Sequence, residues 1–134
     1  MSKESIEVVR DHFAATNERD FPRAMSYYAE DVELYVDPGV ALESGTSSGR
    51  DAVGRFFAGW LTTFAPGYHF DIEEAHDLGD TVLIVAAHGG RGRSSGIEVQ
   101  TRTAYLYRVR GGKIDRIALY GTRAEALEAA GLSE

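Results

Sequence analysis

The chain has 134 residues, contains no cysteine and carries a formal net charge of −7 at pH 7. This length predicts a single domain, 1–134, with a hydrophobic core of its own, and the lack of thiols excludes disulfide frameworks, thiolate zinc sites and cysteine nucleophiles. The acidic balance disfavours nucleic acid as a partner, because proteins bind phosphate backbones with an excess of positive charge.

The first segment, MSKESIEVVRDHF, is charged and lacks the apolar run of a secretory signal. No stretch of the sequence approaches the roughly 20 apolar residues of a membrane-spanning helix. We therefore expect a cytoplasmic protein that does not contact a membrane.

Two helices are predicted at the start of the chain. The first runs from about Lys3 to Asn17, with Ser2 as its N-cap. Asp20 is a candidate N-cap for the second helix, which has Pro22 in its first turn and Phe21, Met25 and Tyr28 along one side. Apolar residues recur at helical spacing in two stripes of the first helix, namely Ile6, Val9 and Phe13, and beside them Val8, His12 and Ala15.

A short strand, VELYVDP, and a third helix are predicted next. Alternation places Val32, Leu34 and Val36 on one face of the strand and Glu33, Tyr35 and Asp37 on the other. Ser48 and Asp51 resemble a capping box for the helix. The helix then has a broad apolar face formed by Val53, Phe57, Trp60 and Phe64.

After Pro66 and Gly67 the period of the apolar residues changes to two, which predicts strands. The segment TVLIVAAH is apolar on both faces and is typical of a central strand, while IEVQTRTAYLYRV and KIDRIALYG alternate clearly. Thr122 and Glu125 form a capping box for a final helix that stops at Gly131. Helices followed by meandering strands predict an α+β fold, with a mostly antiparallel sheet packed on three N-terminal helices.

Three segments carry a resemblance to a known superfamily: FAATNERDFPRAMSYYAEDVELYVDP, SGTSSGRDAVGRFF and YLYRVRGGKIDRIALYG. Together with the order of the elements, they resemble the nuclear transport factor 2-like superfamily, which includes SnoaL-like cyclases and ketosteroid isomerases. The resemblance implies a cone-shaped, cystatin-like roll, whose curved sheet and helices enclose one internal pocket. It also implies a homodimer formed through the outer face of the sheet.

The segment VDPGVALESGTSSGRDAVGRFF is similar to the ketosteroid isomerase segment that carries a catalytic aspartate directly before a proline. The resemblance implies that Asp37 is a general base, which removes a proton next to a carbonyl group. The residues that donate hydrogen bonds in that family fall at His12 and Tyr105 here, so the isomerase set is not intact. The same pattern also fits an ordinary turn at Asp37 and a histidine at the edge of the core.

Further side chains are candidates for ligand contact. Aromatic residues on faces expected to point inward are Tyr28, Phe57, Trp60 and Tyr120, and they fit either a core or a pocket wall. His88, at the end of an apolar strand, fits a pocket-facing or a structural histidine. Arg116 shares a strand face with Ala118 and Tyr120, and if that face is internal it pairs with a buried acid or binds an anionic ligand.

Common metal and cofactor motifs are missing from the sequence. The four histidines show neither HxxxH nor HExxH spacing, and there is no GxSxG elbow, P-loop or GxGxxG fingerprint. We therefore expect no metal and no cofactor. Two hypotheses remain for a protein that takes a small apolar or amphipathic ligand: an isomerase or cyclase that uses acid–base chemistry on a carbonyl compound, or a non-catalytic binding or dimeric assembly module.

Overall fold

The computed structural model describes residues 2–40, 45–62 and 67–132, with side chains from Glu4 onward, and these form four helices and six strands. The helices are α1 (Ser2–Asn17), α2 (Phe21–Ser26), α3 (Arg50–Thr62) and α4 (Arg123–Ala129). The strands are β1 (Tyr28–Val36), β2 (Gly45–Ser48), β3 (His69–Asp77), β4 (Thr81–Arg91), β5 (Glu98–Arg110) and β6 (Lys113–Tyr120). The predicted α+β class is confirmed.

The six strands form one curved sheet in the order β2-β1-β6-β5-β4-β3. Only the β1–β6 pair within this sheet is parallel, and every other pair is antiparallel. The ladder shifts register between Ile72 and Glu74 in β3 and between Arg108 and Val109 in β5. Such irregularities bend a strand and increase its twist, so the sheet curves around the helices.

Local capping explains where the short helices begin. The Asp20 carboxylate accepts a hydrogen bond from the backbone N–H of Arg23 at 3.3 Å, as the sequence predicts. Thr122 caps α4 by accepting from the backbone N–H of Glu125 at 3.1 Å. Gly131 follows α4 with a φ of 81°, a left-handed conformation that favours glycine at the end of a helix.

The structure differs from the predicted elements around Tyr28 and Ser48. Tyr28 begins β1 and does not extend α2, which has only six residues. Ser48 lies in β2, a strand that the sequence did not indicate, and Gly49 separates it from the start of α3. The side chain of Ser2 and the whole of Phe64 lie outside the described residues.

The main core lies between the inner face of the sheet and the first three helices. Its buried members on the sheet include Val32, Leu34, Ile84, Tyr105, Tyr107 and Ile117, and those on the helices include Val9, Phe13, Val53 and Leu61. A second, smaller cluster lies on the outer face, where α4 packs Ala126 and Leu127 against Leu83 and Ala104. The inner and outer faces of the sheet therefore have different partners.

Gly90 in β4 allows the close approach of Tyr68, the residue directly before β3. A Cβ added at this position would lie 2.8 Å from Cδ2 and 2.9 Å from Cα of Tyr68. Because the second of these atoms belongs to the backbone, we expect Gly90→Ala to lower the free energy of unfolding by about 1–3 kcal/mol. Chemical denaturation measures this change.

Gly59 supplies the matched control for that substitution. A Cβ added there meets nothing within 4 Å, and Gly59 lies inside α3. We expect Gly59→Ala to raise the free energy of unfolding by up to about 1 kcal/mol, because alanine favours the helix. Equal stability of Gly90→Ala and the wild type would contradict the close approach.

Candidate functional site

A cavity of about 150 Å³ lies between the first three helices and the inner face of the sheet. Its walls are mainly aromatic and aliphatic. None of the described residues that line it carries a charged side chain. These residues are His12, Phe13, Thr16, Phe21, Ala24, Met25, Tyr28, Gly54, Phe57, Ala58, Leu61, Phe70, Tyr105 and Tyr107. A cavity of this composition suits an apolar guest.

A second hollow of about 20 Å³ adjoins the cavity and shares Phe57, Phe70 and Tyr105 with it. Its other lining residues are Val40, Phe56, Trp60, His88, Thr103 and Leu119. We call the two hollows the main lobe and the minor lobe. Tyr105 lies where the lobes meet.

His12 is buried in the wall of the main lobe. Its Nδ1 lies 3.1 Å from the backbone carbonyl of Ala24, and its Nε2 lies 3.4 Å from the hydroxyl of Tyr28. Burial lowers the pKa of His12 to about 4, although the hydrogen bond to Ala24 acts in the other direction. Because a carbonyl can only accept, the neutral ring carries its proton on Nδ1, and Nε2 is an acceptor.

His88 is buried in the wall of the minor lobe and is bonded at both ring nitrogens. Its Nδ1 lies 2.5 Å from the hydroxyl of Tyr68, and its Nε2 lies 2.8 Å from Oγ1 of Thr103. The ring stacks on Phe70 with centroids 5.1 Å apart. Burial lowers the pKa of His88 to about 4, so this ring is also neutral near pH 7.

The buried tyrosines of the cavity keep their protons. Burial raises the pKa values of Tyr28, Tyr105 and Tyr107 above the ordinary value for a phenol. Each hydroxyl is therefore neutral at physiological pH. The two lobes consequently offer polar atoms but no formal charge.

The structure brings together most of the residues that the sequence singled out. His12, Tyr105, Tyr28 and Phe57 line the main lobe. Trp60 and His88 line the minor lobe, together with Phe57 and Tyr105. The chemical roles predicted for these residues stay predictions.

Asp37 is not among the residues that line either lobe. Its carboxylate accepts a hydrogen bond from the hydroxyl of Tyr35 at 3.0 Å and one from the backbone N–H of Gly39 at 3.4 Å. Because Val36 points into the core, its neighbour Asp37 is placed with Tyr35 on the outer side. Of the two interpretations of Asp37 that the sequence left open, this geometry favours the turn at the end of β1, and its role as a general base stays a prediction.

Arg116 and Tyr120 also lie away from the cavity. Ile117 and Leu119 of β6 are buried in the main core, so the alternating positions Arg116, Ala118 and Tyr120 face outward. Arg116 lines a groove on the outer face, and Tyr120 packs on the cluster beneath α4. The expected contact of these two side chains with an internal ligand is thus corrected.

Several wall residues were not identified as site residues from the sequence. Thr103 and Tyr107 share a strand face with Tyr105, and this period-two pattern is the signal that could have found them. Tyr68 and Phe70 belong to β3 or its approach and also alternate inward. Met25 of α2 lies four residues after Phe21, and this helical spacing is the signal that could have found it.

The described residues were also compared with the requirements of a metal site and of a membrane-spanning helix. No group of three or more histidine or acidic side chains in 2–40, 45–62 and 67–132 could hold a metal ion. Within the same residues, no helix is both long and apolar enough to cross a membrane.

A family model described as a SnoaL-like domain matches residues 9–117. No curated protein sequence matches the chain significantly. Similar solved structures include a nuclear transport factor 2-like protein from Burkholderia thailandensis, with 29% identity, a TM-score of 0.74, and coverage of 93% of this chain and 95% of that one.

Two other similar structures contain small molecules. One is a hypothetical protein from Catenulispora acidiphila with a ketosteroid isomerase-like fold, in complex with trimethylamine. It is 25% identical to this chain with a TM-score of 0.73, and the match covers 94% of this chain and 93% of that protein. TerC, co-crystallised with polyporic acid, is 21% identical with a TM-score of 0.76, and the match covers 93% of this chain and 96% of TerC. The likeness to TerC concerns the fold alone.

The two buried histidines make stability depend on pH. The pKa of each ring is about 4 in the folded protein, compared with about 6.5 in an unfolded chain. Below pH 6.5 the unfolded state therefore binds protons that the folded state does not, so the free energy of unfolding falls as the pH decreases towards 4. Each ring is expected to contribute on the order of 3 kcal/mol over this window.

Urea denaturation at about pH 7 and about pH 4.5 measures this loss. His12→Asn is a suitable comparison, because its amide N–H can still reach the carbonyl of Ala24 while its side chain does not titrate. We expect this variant to lose less stability on acidification than the wild type. The same loss in both proteins would contradict the assignment of a depressed pKa to His12.

Proposed function

The chain belongs to the family of SnoaL-like domains, and we propose that it binds a small, uncharged and mostly apolar molecule in the main lobe. The observation that carries this proposal is the uncharged lining of the cavity. A buried ion would need a counter-charge to offset its loss of hydration, and the lining supplies none. A neutral guest needs only apolar contact and a few hydrogen bonds.

The size of the main lobe limits the part of the ligand that it holds. A cavity of about 150 Å³ accommodates a guest the size of benzene. A longer molecule would have to extend past Phe57 and Tyr105, which separate the main lobe from the minor lobe. We therefore propose a ligand with one six-membered ring, or a larger ligand of which one ring enters the main lobe.

The complex of the Catenulispora acidiphila protein with trimethylamine supports a role in binding small molecules. The cavity of the present chain agrees with that role in its position between helices and sheet and in its apolar walls. The homodimer and the cytoplasmic location remain predictions. The outer face of the sheet, with Leu106 and Ala118 beside α4, is the surface that such a dimer would use.

An isomerase or cyclase that uses acid–base chemistry is the second hypothesis. Its support is that His12 and Tyr105 line the same lobe, but the Nδ1 proton of His12 is already bonded to the carbonyl of Ala24. Its difficulty is the base, since Asp37 is bonded to Tyr35 and Gly39 in a turn. A base must reach the proton that it removes, so the placement of Asp37 favours the binding function.

Filling the main lobe should abolish binding. Ala58 lines this lobe, and we expect Ala58→Leu to weaken the affinity for benzene by about tenfold or more, because the added carbons occupy the space of the guest. Titration calorimetry or ligand-observed NMR measures the affinity. The same variant should be at least as stable as the wild type, since it fills a cavity.

Gly59→Leu is the matched control on the next residue of α3. It adds a larger side chain where a Cβ would meet nothing within 4 Å, so the cavity stays open. We expect benzene to bind Gly59→Leu and the wild type with affinities that agree within about twofold. Equal weakening in the two leucine variants would place the benzene elsewhere.

Replacing Asp37 tests the two hypotheses against each other. Asn at this position keeps a side-chain acceptor for Tyr35, so we expect Asp37→Asn to fold and to bind cyclohexanone within about twofold of the wild type. Exchange of the α-hydrogens of cyclohexanone in D₂O reports proton removal next to a carbonyl. We expect neither protein to accelerate it.

Acceleration of this exchange by the wild type, and its loss in Asp37→Asn, would instead establish the acid–base hypothesis. The reason is that only a general base in contact with the bound ketone could produce such a difference. NMR spectroscopy of the ketone in D₂O, with and without protein, measures the exchange rate.

A further inference from the structure

His12 brings a hydrogen-bonding group into the wall of the main lobe, and its surroundings hold the ring in one orientation. The imidazole is 6% exposed and lines the lobe together with Tyr28. The rings of Tyr28 and Tyr107 lie against it, with centroids 5.0 Å and 6.3 Å away. The imidazole cannot turn over without losing its bond to the carbonyl of Ala24.

The carbonyl of Ala24 decides which nitrogen of His12 carries the proton. It lies 3.1 Å from Nδ1 and can only accept, so Nδ1 donates and Nε2 of the neutral ring keeps a lone pair. Burial lowers the pKa of His12 to about 4, so the neutral form prevails near pH 7. The backbone of α2 thereby fixes an acceptor atom in the side chain of His12.

The hydroxyl of Tyr28 meets this acceptor at 3.4 Å. Since Nε2 has no proton to give, the bond between them uses the proton of Tyr28. The distance exceeds the ordinary length of a hydrogen bond from a hydroxyl group, so the bond is weak. Among the described residues, the structure gives the Tyr28 hydroxyl no second hydrogen-bond partner.

The His12–Tyr28 pair therefore has one proton for two acceptor atoms, Nε2 of His12 and the oxygen of Tyr28. When the proton lies between them, the oxygen of Tyr28 still has a lone pair without a donor. When the proton turns away, Nε2 is the atom without a donor. In both arrangements the pair lacks a donor, and a guest in the main lobe can supply one.

We propose that the His12–Tyr28 pair accepts a hydrogen bond from a hydroxyl group of the bound molecule. The ligand class is then an uncharged ring compound that carries an alcohol or phenol group. The resemblance to ketosteroid isomerases implies a donor at His12, which would select a carbonyl oxygen, and this inference reverses that expectation. It rests on the proposed binding function, because it names the chemistry of the guest in the main lobe.

Three probes test the sense of the contact, since each has one saturated six-membered ring with a single small substituent. Cyclohexanol can donate a hydrogen bond, cyclohexanone can only accept one, and methylcyclohexane can do neither. The quantity to compare between proteins is the affinity for cyclohexanol divided by the affinity for cyclohexanone. The transfer of each probe from water is the same for every variant and cancels in that comparison.

Replacing His12 by asparagine removes the acceptor but keeps the bond to α2. The shorter amide can still donate to the carbonyl of Ala24, and none of its atoms reaches the position of Nε2. The proton of Tyr28 is then available to the guest and favours the ketone. We expect His12→Asn to lower the affinity ratio by about fivefold or more.

The affinity of His12→Asn for methylcyclohexane should stay within about twofold of the wild type, because this probe forms no hydrogen bond. Calorimetric titration of the three probes into both proteins measures these changes.

Tyr28→Phe should act in the opposite direction. It removes the one proton that the pair holds, so Nε2 of His12 is free to accept directly from cyclohexanol, whereas cyclohexanone finds no donor there. We expect the affinity ratio of Tyr28→Phe to equal or exceed that of the wild type. A ratio that falls in Tyr28→Phe would assign the recognition to Tyr28 alone and overturn the inference.

His76→Asn is the matched control for the exchange at His12. His76 is exposed on β3, lies 2.9 Å from Glu74 through Nε2, and is not among the residues that line either lobe. We expect its affinities for all three probes to agree with the wild type within about twofold. Equal changes in the two asparagine variants would refute a specific role of His12.

Nitrogen NMR of the imidazole reads the tautomer of His12 directly. We expect the Nε2 resonance to have the chemical shift of an unprotonated nitrogen, and to move towards that of a protonated nitrogen when cyclohexanol is added. Methylcyclohexane should not cause this movement. A proton found on Nε2 of the neutral ring would overturn the inference.

The affinities also separate failure of the inference from failure of the proposed function. If methylcyclohexane binds and the affinity ratio is the same in the wild type and His12→Asn, the binding function stands and the inference is overturned. If none of the three probes binds the wild type, both proposals are overturned.

Discussion

The neutrality of the groups buried around the cavity is the condition on which the site depends. His12, His88 and Tyr105 are removed from water, and a charge on any of them would lack a nearby ion to balance it. Burial therefore lowers the pKa of each histidine and raises that of the tyrosine. Hydrogen bonds to neighbouring hydroxyls and, for His12, to the backbone offset the cost of burying the two imidazoles.

The same neutrality allows one histidine to have a structural contact and a place in the cavity wall at once. A histidine whose pKa is about 4 is a poor base at neutral pH in water, but its unprotonated nitrogen still accepts a hydrogen bond. His12 uses Nδ1 to hold α2 through the carbonyl of Ala24, so its structural role leaves Nε2 facing Tyr28 at the cavity wall. One ring thus serves the fold and the site together.

The sequence predicts the faces of the strands well, but not which face is internal. Alternation correctly groups Arg116 with Tyr120 and Asp37 with Tyr35, and in both cases the structure places that group outside. The decision depends on which side of the sheet the first three helices cover, and this is a property of the whole chain. Capping is different, because Asp20 and Thr122 act on residues three positions away and can be read locally.

Some site contacts could not be predicted for a related reason. Tyr68 and Thr103 reach His88 from either side because β4 pairs with β5 and lies beside β3, and no pattern along one strand reveals that meeting. The fold itself follows from the helix and strand periods together with the resemblance of three segments to a superfamily. The hydrogen-bonding sense of the cavity depends instead on contacts between residues that are distant in the sequence.

These contacts hold one buried histidine on each side of the cavity. On the helix side, the carbonyl of Ala24 holds the proton of His12 on Nδ1 and leaves Nε2 as an acceptor. On the sheet side, both ring nitrogens of His88 are bonded to hydroxyl groups, those of Tyr68 and Thr103. The carbonyl of Ala24, which can only accept, thus fixes the tautomer of a ring that could otherwise bond in two senses. Burial then keeps water from reversing that choice, so the polarity of the cavity is built into the packing of the fold.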